Sequence, residues 1–194
     1  IINEDDIKNC LYDTSISNLK LCPSNIQLAG AEIELVTVIS RETRVKAALN
    51  DIRDQFDFII IDCPPSLGLL TINSLTASDT ILVPIQCEYY ALEGLSQLMN
   101  TIKLVQKHLN PSLDVEGVVL TMFDARTNLS IQVVEEVKKY FKNKVYRTII
   151  PRNVRLSEAP SYGLPIILYD PKSKGAECYI ELAEEVIEYS EEGR

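Results

Sequence analysis

The sequence predicts an α/β fold with a mostly parallel sheet flanked by helices. Short apolar, β-branched runs alternate with longer stretches of helical period, and several runs are apolar on consecutive residues. That pattern belongs to strands covered on both faces. Strands separated by helices also require right-handed crossovers and therefore parallel pairing. The chain has 194 residues, 46% of them hydrophobic, which suits one compact core and is short for two. No repeat or linker interrupts it, so residues 1–194 read as a single α/β domain.

Taken in order, strands are expected at Leu19–Cys22, Phe58–Asp62, Thr80–Ile85, Val115–Thr121 and Tyr146–Ile150, with a shorter one at Ile166–Leu168. Between the third and fourth, Leu92, Leu95, Met99, Ile102, Val105 and Leu109 recur every three or four residues and form one helical stripe. Ile131, Val134, Val137 and Phe141 repeat the pattern after Thr127-Asn128, two good N-cap candidates. A last helix is expected from Gly175 to Tyr189, with Tyr179, Ala183, Val186 and Ile187 on its apolar side.

Composition removes several function classes. No stretch approaches the ~18 to 20 apolar residues that cross a bilayer, and the first residues lack the basic flank and apolar core of a signal peptide. Five cysteines at 10, 22, 63, 87 and 178 include no CxxC. They read as small hydrophobes in a reducing cytoplasm rather than a disulfide framework. His108 is the lone histidine, which removes most metal-site and Ser/His schemes. It ends the first helical stripe, where a surface place is expected.

The net charge of −9 argues against a globally basic nucleic-acid binder, but the charge is unevenly spread. Lys138, Lys139, Lys142, Lys144, Arg147, Arg152 and Arg155 follow one another without an acidic residue between them. From 175 onward come Glu177, Glu181, Glu184, Glu185, Glu188, Glu191 and Glu192. A local basic patch binds an anion by local field whatever the total charge.

The most informative stretch is Phe58 to Ser66, four apolar residues followed by Asp62 and then Cys63-Pro64-Pro65. Ligands of open parallel sheets bind beyond the carboxyl ends of the strands. A carboxylate there suits Mg²⁺, which takes one or two protein ligands plus water and phosphate oxygens, as in a Walker B element. Two readings stand for Asp62: a metal-side carboxylate, or an ordinary turn former or helix cap. The matching phosphate loop, G-x-x-x-x-G-K-[ST], is opened by none of the seven glycines at 30, 68, 94, 117, 163, 175 and 193.

Pro151-Arg152-Asn153-Val154-Arg155 follows another expected strand. Asn offers an acceptor and donors to a base edge, while Arg152 and Arg155 read either as anion ligands or as plain surface charges. Arg126 also sits between a strand and a helix. It either pairs locally with Asp124 or faces a phosphate backbone.

Five words of the sequence together resemble the ParA/Soj family of deviant-Walker ATPases. They are IQLAGAEIEL at 26–35, FIIIDCPPSLGLLTINSLTASD at 58–79, PIQCEYYALEGLSQL at 84–98, LTMFDARTNLSIQVVEEVKKYF at 120–141 and IPRNVRLSEAPSYGLPIILYDPKSKGAE at 150–177. The resemblance implies a MinD/ParA-like P-loop NTPase fold with its first strands missing, about the carboxy-terminal three quarters of such an ATPase. It places Asp62 as the Walker B Asp holding Mg²⁺ through water, with Cys63 to Leu67 in the switch beyond it. It places Thr121, Met122, Pro151, Arg152 and Asn153 at the nucleotide-binding adenine edge, and Arg126 and Arg155 among arginines that bind DNA without sequence preference. Glu88 to Gly94 resembles a family signature with no independent chemistry.

The family binds and hydrolyses ATP with Mg²⁺, dimerises in the ATP state on nucleoid DNA in the cytoplasm, and is stimulated by a ParB partner. Its KGGVGKT-type loop is not among these residues, so no catalytic residue is expected in this chain and, alone, it is expected to be inactive. A different class of reading is a non-catalytic DNA-binding or dimer-modulating module. A membrane-bound MinD-like relative shares the fold but ends in a basic amphipathic helix. The Glu-rich tail here is repelled by anionic lipid, so no membrane partner is expected.

Overall fold

Three of the apolar runs become the sheet. In the computed structural model, which describes residues 2, 6–89 and 91–192 (without the side chains of 91–93 and 192), the strands are β3 Thr80–Gln86, β4 Asp114–Phe123 and β5 Val145–Pro151. Before them come β1 Tyr12–Asp13 and β2 Lys20–Leu21, a two-stranded antiparallel pair of exposed residues. The expected first strand at Leu19–Cys22 therefore shrinks to two residues and joins a hairpin instead of the main sheet. The sheet order is β3-β4-β5, and β4 pairs with β5 in parallel, as the α/β pattern requires.

The residues divide into two compact units, Ile1–Asp79 with Leu98–Asp114, and Thr80–Gln97 with Val115–Arg194. The first carries the hairpin and the helices α1 Gln27–Glu34, α2 Arg44–Leu49 and α3 Leu69–Ala77. Asn73 of α3 is fully buried and ties three segments together. Its amide donates to the carbonyls of Arg41 (2.7 Å) and Leu69 (2.9 Å), and its carbonyl oxygen accepts from Val45 N–H (3.2 Å). A buried amide satisfied on both ends specifies one arrangement of α2 and α3.

Helix α4 runs Ala91–His108. Leu95, Ile102 and Val105 of its expected stripe are buried, Met99 and Leu109 are half-buried, and Leu92 lies outside the described side chains. His108 is its last residue and is exposed.

The second unit holds the sheet, α5 Asn128–Phe141, the short helices α6 Val154–Glu158 and α7 Ile166–Tyr169, and α8 Lys174–Glu192. Thr127 is the N-cap of α5, accepting from Ser130 N–H at 3.3 Å. β4 buries Gly117, Val118, Val119 and Leu120 in succession, the signature of a strand covered on both faces. β3 alternates instead. Val83 and Ile85 are buried, whereas Leu82 is exposed.

A core of Val119, Tyr146, Ile150, Cys178 and Leu182 joins β4 and β5 to α8, with Leu156, Val186 and Tyr189 around it. Each large apolar side chain buried there contributes roughly 1.5–3 kcal/mol. Tyr146 stacks on Tyr189 (centroids 5.3 Å apart, planes at 15°) and lies flat over Gly117. A Cβ at Gly117 would come within 2.4 Å of the Tyr146 ring.

Four further expectations are corrected. Phe58–Asp62 forms no strand. It has no regular secondary structure, with Phe58, Ile59 and Ile60 exposed, and no described strand pairs with it. Ile166–Leu168 is one turn of helix. Pro165 precedes it in extended geometry, and its carbonyl accepts from Leu168 and Tyr169 N–H (2.9 and 3.0 Å). The buried stripe of α5 is Ser130, Val133, Val137 and Phe141, leaving Ile131 exposed. On α8 the buried face is Cys178, Leu182 and Glu185, while Tyr179, Ala183 and Ile187 are exposed. In both helices the apolar periodicity is right, but the face is set by the strand it packs on.

Candidate functional site

Asp62 lies in the first unit, exposed in the irregular segment that precedes α3. The chain beyond it is organised by α3. Thr71 Oγ1 donates to Ser66 C=O at 2.6 Å, and Glu32 of α1 accepts from Leu69 and Leu70 N–H at 2.7 and 3.1 Å. A carboxylate at these free N–H groups matches the positive end of the helix. It also explains Gly68, since a Cβ there would sit 2.5 Å from Glu32 Oε1. Glu32 is a residue sequence reasoning missed. Its partner lies 37 positions away, and no local pattern announces it. Among the described residues no group of three or more His, Cys, Asp or Glu could hold a metal by itself.

In the second unit the exits of neighbouring strands β4 and β5 come together. Phe123 stands opposite Pro151, and the register between Leu120 and Phe123 slips by a bulge that contains Thr121 and Met122. Met122 has φ 54°, the left-handed region, which costs a non-glycine residue free energy and recurs at ligand-facing bulges. The bulge is anchored on either side. Cys87 N–H donates to Thr121 C=O (2.9 Å) and Arg152 N–H to Phe123 C=O (2.9 Å). Thr121, Met122, Pro151, Arg152 and Asn153 are thus brought to one edge.

Three of these five are partly engaged already, Thr121 through its Oγ1, which donates to Ile85 C=O at 3.4 Å. The Arg152 guanidinium pairs with Glu88 at 2.5 Å, linking the exit of β5 to that of β3. Asn153 caps α6, its Oδ1 accepting from Arg155 N–H (2.8 Å) and Leu156 N–H (3.4 Å). Its NH₂ donors are the part free to meet a base edge. Of Glu88 to Gly94, Tyr90 and the side chains of 91–93 lie outside the described residues.

Arg126 stands in the loop between β4 and α5, 86% exposed, and takes the local partner. Its Nε and Nη2 donate to Asp124 Oδ1 and Oδ2 at 2.9 and 2.7 Å. The Arg126 side chain and N–H hold the Asp124 carboxyl well below the usual carboxylate range. Arg155 on α6 pairs with Glu158 (2.8 Å) and Asp170 (3.4 Å). Arg147 pairs with Glu188 (2.7 Å) and Glu185 (3.3 Å), and Lys139 with Glu136 (3.4 Å). The basic run is therefore laced with carboxylates, two of them from the acidic tail.

The cysteines divide. Cys87 and Cys178 are buried, and burial pushes the Cys87 thiol up to about 11. Cys10, Cys22 and Cys63 are exposed, and the five are free thiols.

A parallel α/β sheet with an anchored bulge at its edge defines the class, a MinD/ParA-like P-loop NTPase fold. Among solved structures the chain superposes on a cobyrinic acid a,c-diamide synthase from Mycobacterium smegmatis, crystallised with ADP and magnesium. The TM-score is 0.82 and the identity 37%, over 100% of this chain and 71% of that one. It also superposes on the cell division ATPase MinD of Pyrococcus furiosus (TM-score 0.75, 24% identity, 96% and 73% of the two chains), a likeness of fold. Residues 1–115 match a family model described as an AAA domain.

Curated relatives are closer. The sporulation initiation inhibitor protein Soj of Bacillus subtilis is 64% identical over 95% of this chain and 79% of its own length. The chromosome partitioning protein ParA of Myxococcus xanthus is 56% identical over 96% of this chain and 66% of its own length. The chain belongs to the ParA/Soj chromosome-partitioning family.

Proposed function

We propose that these 194 residues are one α/β domain's worth of a DNA-segregation ATPase. The intact protein binds and hydrolyses ATP with Mg²⁺, dimerises on nonspecific DNA in its ATP form, and is stimulated by a ParB-type partner at the nucleoid. The observation that carries this reading is the 64% identity to Soj across 95% of the chain. The gathering of Thr121, Met122, Pro151, Arg152 and Asn153 at one strand edge supports it as a place for the base.

Each unit, taken by itself, holds residues suited to part of Mg·ATP. Asp62 is an exposed carboxylate suited to a hard cation through water, and the β4/β5 edge offers amide donors and a shaped bulge for the base. The phosphate-binding loop is not among these residues, so no catalytic residue is assigned here. Asp62 would hold Mg²⁺ through water, and the ion would supply neutralisation of phosphate charge there; the β4/β5 edge, in its own unit, would position the base.

In the intact protein, Asp62→Ala should abolish ATP turnover measured by phosphate release. The isolated 194 residues should show none. Turnover by the isolated chain that disappears in Asp62→Ala would overturn the assignment of the phosphate loop to another segment. A non-catalytic DNA-binding or dimer-modulating module is the competing reading, and a metal-side carboxylate such as Asp62, which has little purpose without a nucleotide, weighs against it. No described helix is long and apolar enough to cross a membrane.

A further inference from the structure

The loop between β4 and α5 is built to hold one arginine. Three donors of Arg126 converge on one carboxylate: its backbone N–H (3.0 Å) and Nε (2.9 Å) reach Asp124 Oδ1, and Nη2 (2.7 Å) reaches Oδ2. Asp124 is itself fixed. Its carbonyl accepts from Thr127 N–H and Oγ1, each at 3.1 Å, and its N–H donates to Ser130 Oγ at 3.4 Å. Ser130 is buried and donates in turn to Cys87 C=O at 3.2 Å.

The two partners therefore differ in freedom. Asp124 is 20% exposed and anchored, while the Arg126 side chain is 86% exposed and its guanidinium is held by Asp124. A phosphate offers a guanidinium the same two-oxygen fork that Asp124 does. It can replace the carboxylate without disturbing the loop.

We infer that Asp124 is a positioning residue and counter-ion for Arg126, one that a DNA phosphate must displace before Arg126 contributes to binding. The inference rests on the proposed role of Arg126 in nonspecific DNA binding. In the resting loop the pair is neutral and pre-aimed. The strength of the pair sets how much affinity Arg126 adds, so Asp124 acts as a brake on nonspecific binding.

The test uses the intact protein with ATP and Mg²⁺ and a labelled random-sequence duplex, with affinity read by fluorescence anisotropy at fixed salt. Asp124→Asn keeps an oxygen for the Arg126 N–H and removes the charge. It should tighten binding about two- to fivefold, the range an exposed ion pair permits. Arg126→Ala should weaken binding, and the double variant should match Arg126→Ala alone.

Should Asp124→Asn leave affinity unchanged while Arg126→Ala weakens it, the counter-ion role is wrong and the DNA reading stands. A gain that persists in the Arg126→Ala background reflects general charge and also overturns it. No effect of Arg126→Ala ends the DNA reading itself. Asp124→Ser, which keeps a turn-forming oxygen of different geometry, should reproduce the gain, and its thermal unfolding checks that the loop remains intact.

Discussion

Tyr146 shows how a single residue is read from its surroundings. It is fully buried between Gly117 and Tyr189, and its hydroxyl has no hydrogen-bond partner among the described residues. Burial, with the nearby Glu116 and Glu185, pushes its pKa far up, so it stays neutral. An unpaired buried hydroxyl costs about 1–3 kcal/mol of desolvation. Tyr146→Phe should therefore leave stability unchanged or raise it by roughly 1 kcal/mol in urea unfolding, and a loss of that size would reveal a hidden partner. Sequence alone could not find this. The Arg126–Asp124 pair, by contrast, was legible as one of two readings, because its partners are two residues apart. Asn153 as the cap of α6 was readable in type but was assigned to the base edge.

At the scale of elements, α8 and β5 are joined by a buried carboxylate. Glu185 is 3% exposed and accepts from the backbone N–H groups of Arg147 (2.7 Å) and Thr148 (3.1 Å), with Tyr189 Oη donating at 3.2 Å. Burial raises its pKa, but these donors outweigh burial and hold it below the ordinary value. A depressed folded pKa contributes stability that is present above the unfolded value of about 4.3 and lost as pH falls through the lower folded value. Wild type should therefore lose stability on acidification below about pH 4.3, and Glu185→Gln should flatten that dependence. Glu185→Ala strands two N–H groups of β5 and should cost about 2–3 kcal/mol, read by denaturant midpoint. The long helices and three main strands were all legible as elements, since short consecutive apolar runs and a 3.6-residue period are local properties. Their faces were not. The stripe expected on α8 lies beside the one β5 covers.

For the whole molecule, charge is the governing quantity. With a net charge of −9, long-range attraction to DNA is opposed, so the proposed DNA binding has to come from a few arginines that contact phosphate directly. Each such contact carries a salt slope of about one in log–log form. Arg126→Ala should thus lower the salt slope of DNA binding by about one and weaken all sequences alike. A slope unchanged by the substitution would remove Arg126 from the interface. The basic run and acidic tail looked like separate patches in the sequence. In the fold Arg147 meets Glu185 and Glu188, so part of each cancels the other.

By itself the sequence determined the α/β class, the three main strands and the long helices α4, α5 and α8, the family, and the residues gathered at the exits of β4 and β5. These depend on local periodicity and on words of contiguous residues. Only the tertiary structure decided that Phe58–Asp62 lies exposed and unpaired, that Glu32 caps α3, and that the arginines of the basic run are held by carboxylates. A strand requires a partner and a charge is silenced only by a neighbour, and both come from residues distant along the chain.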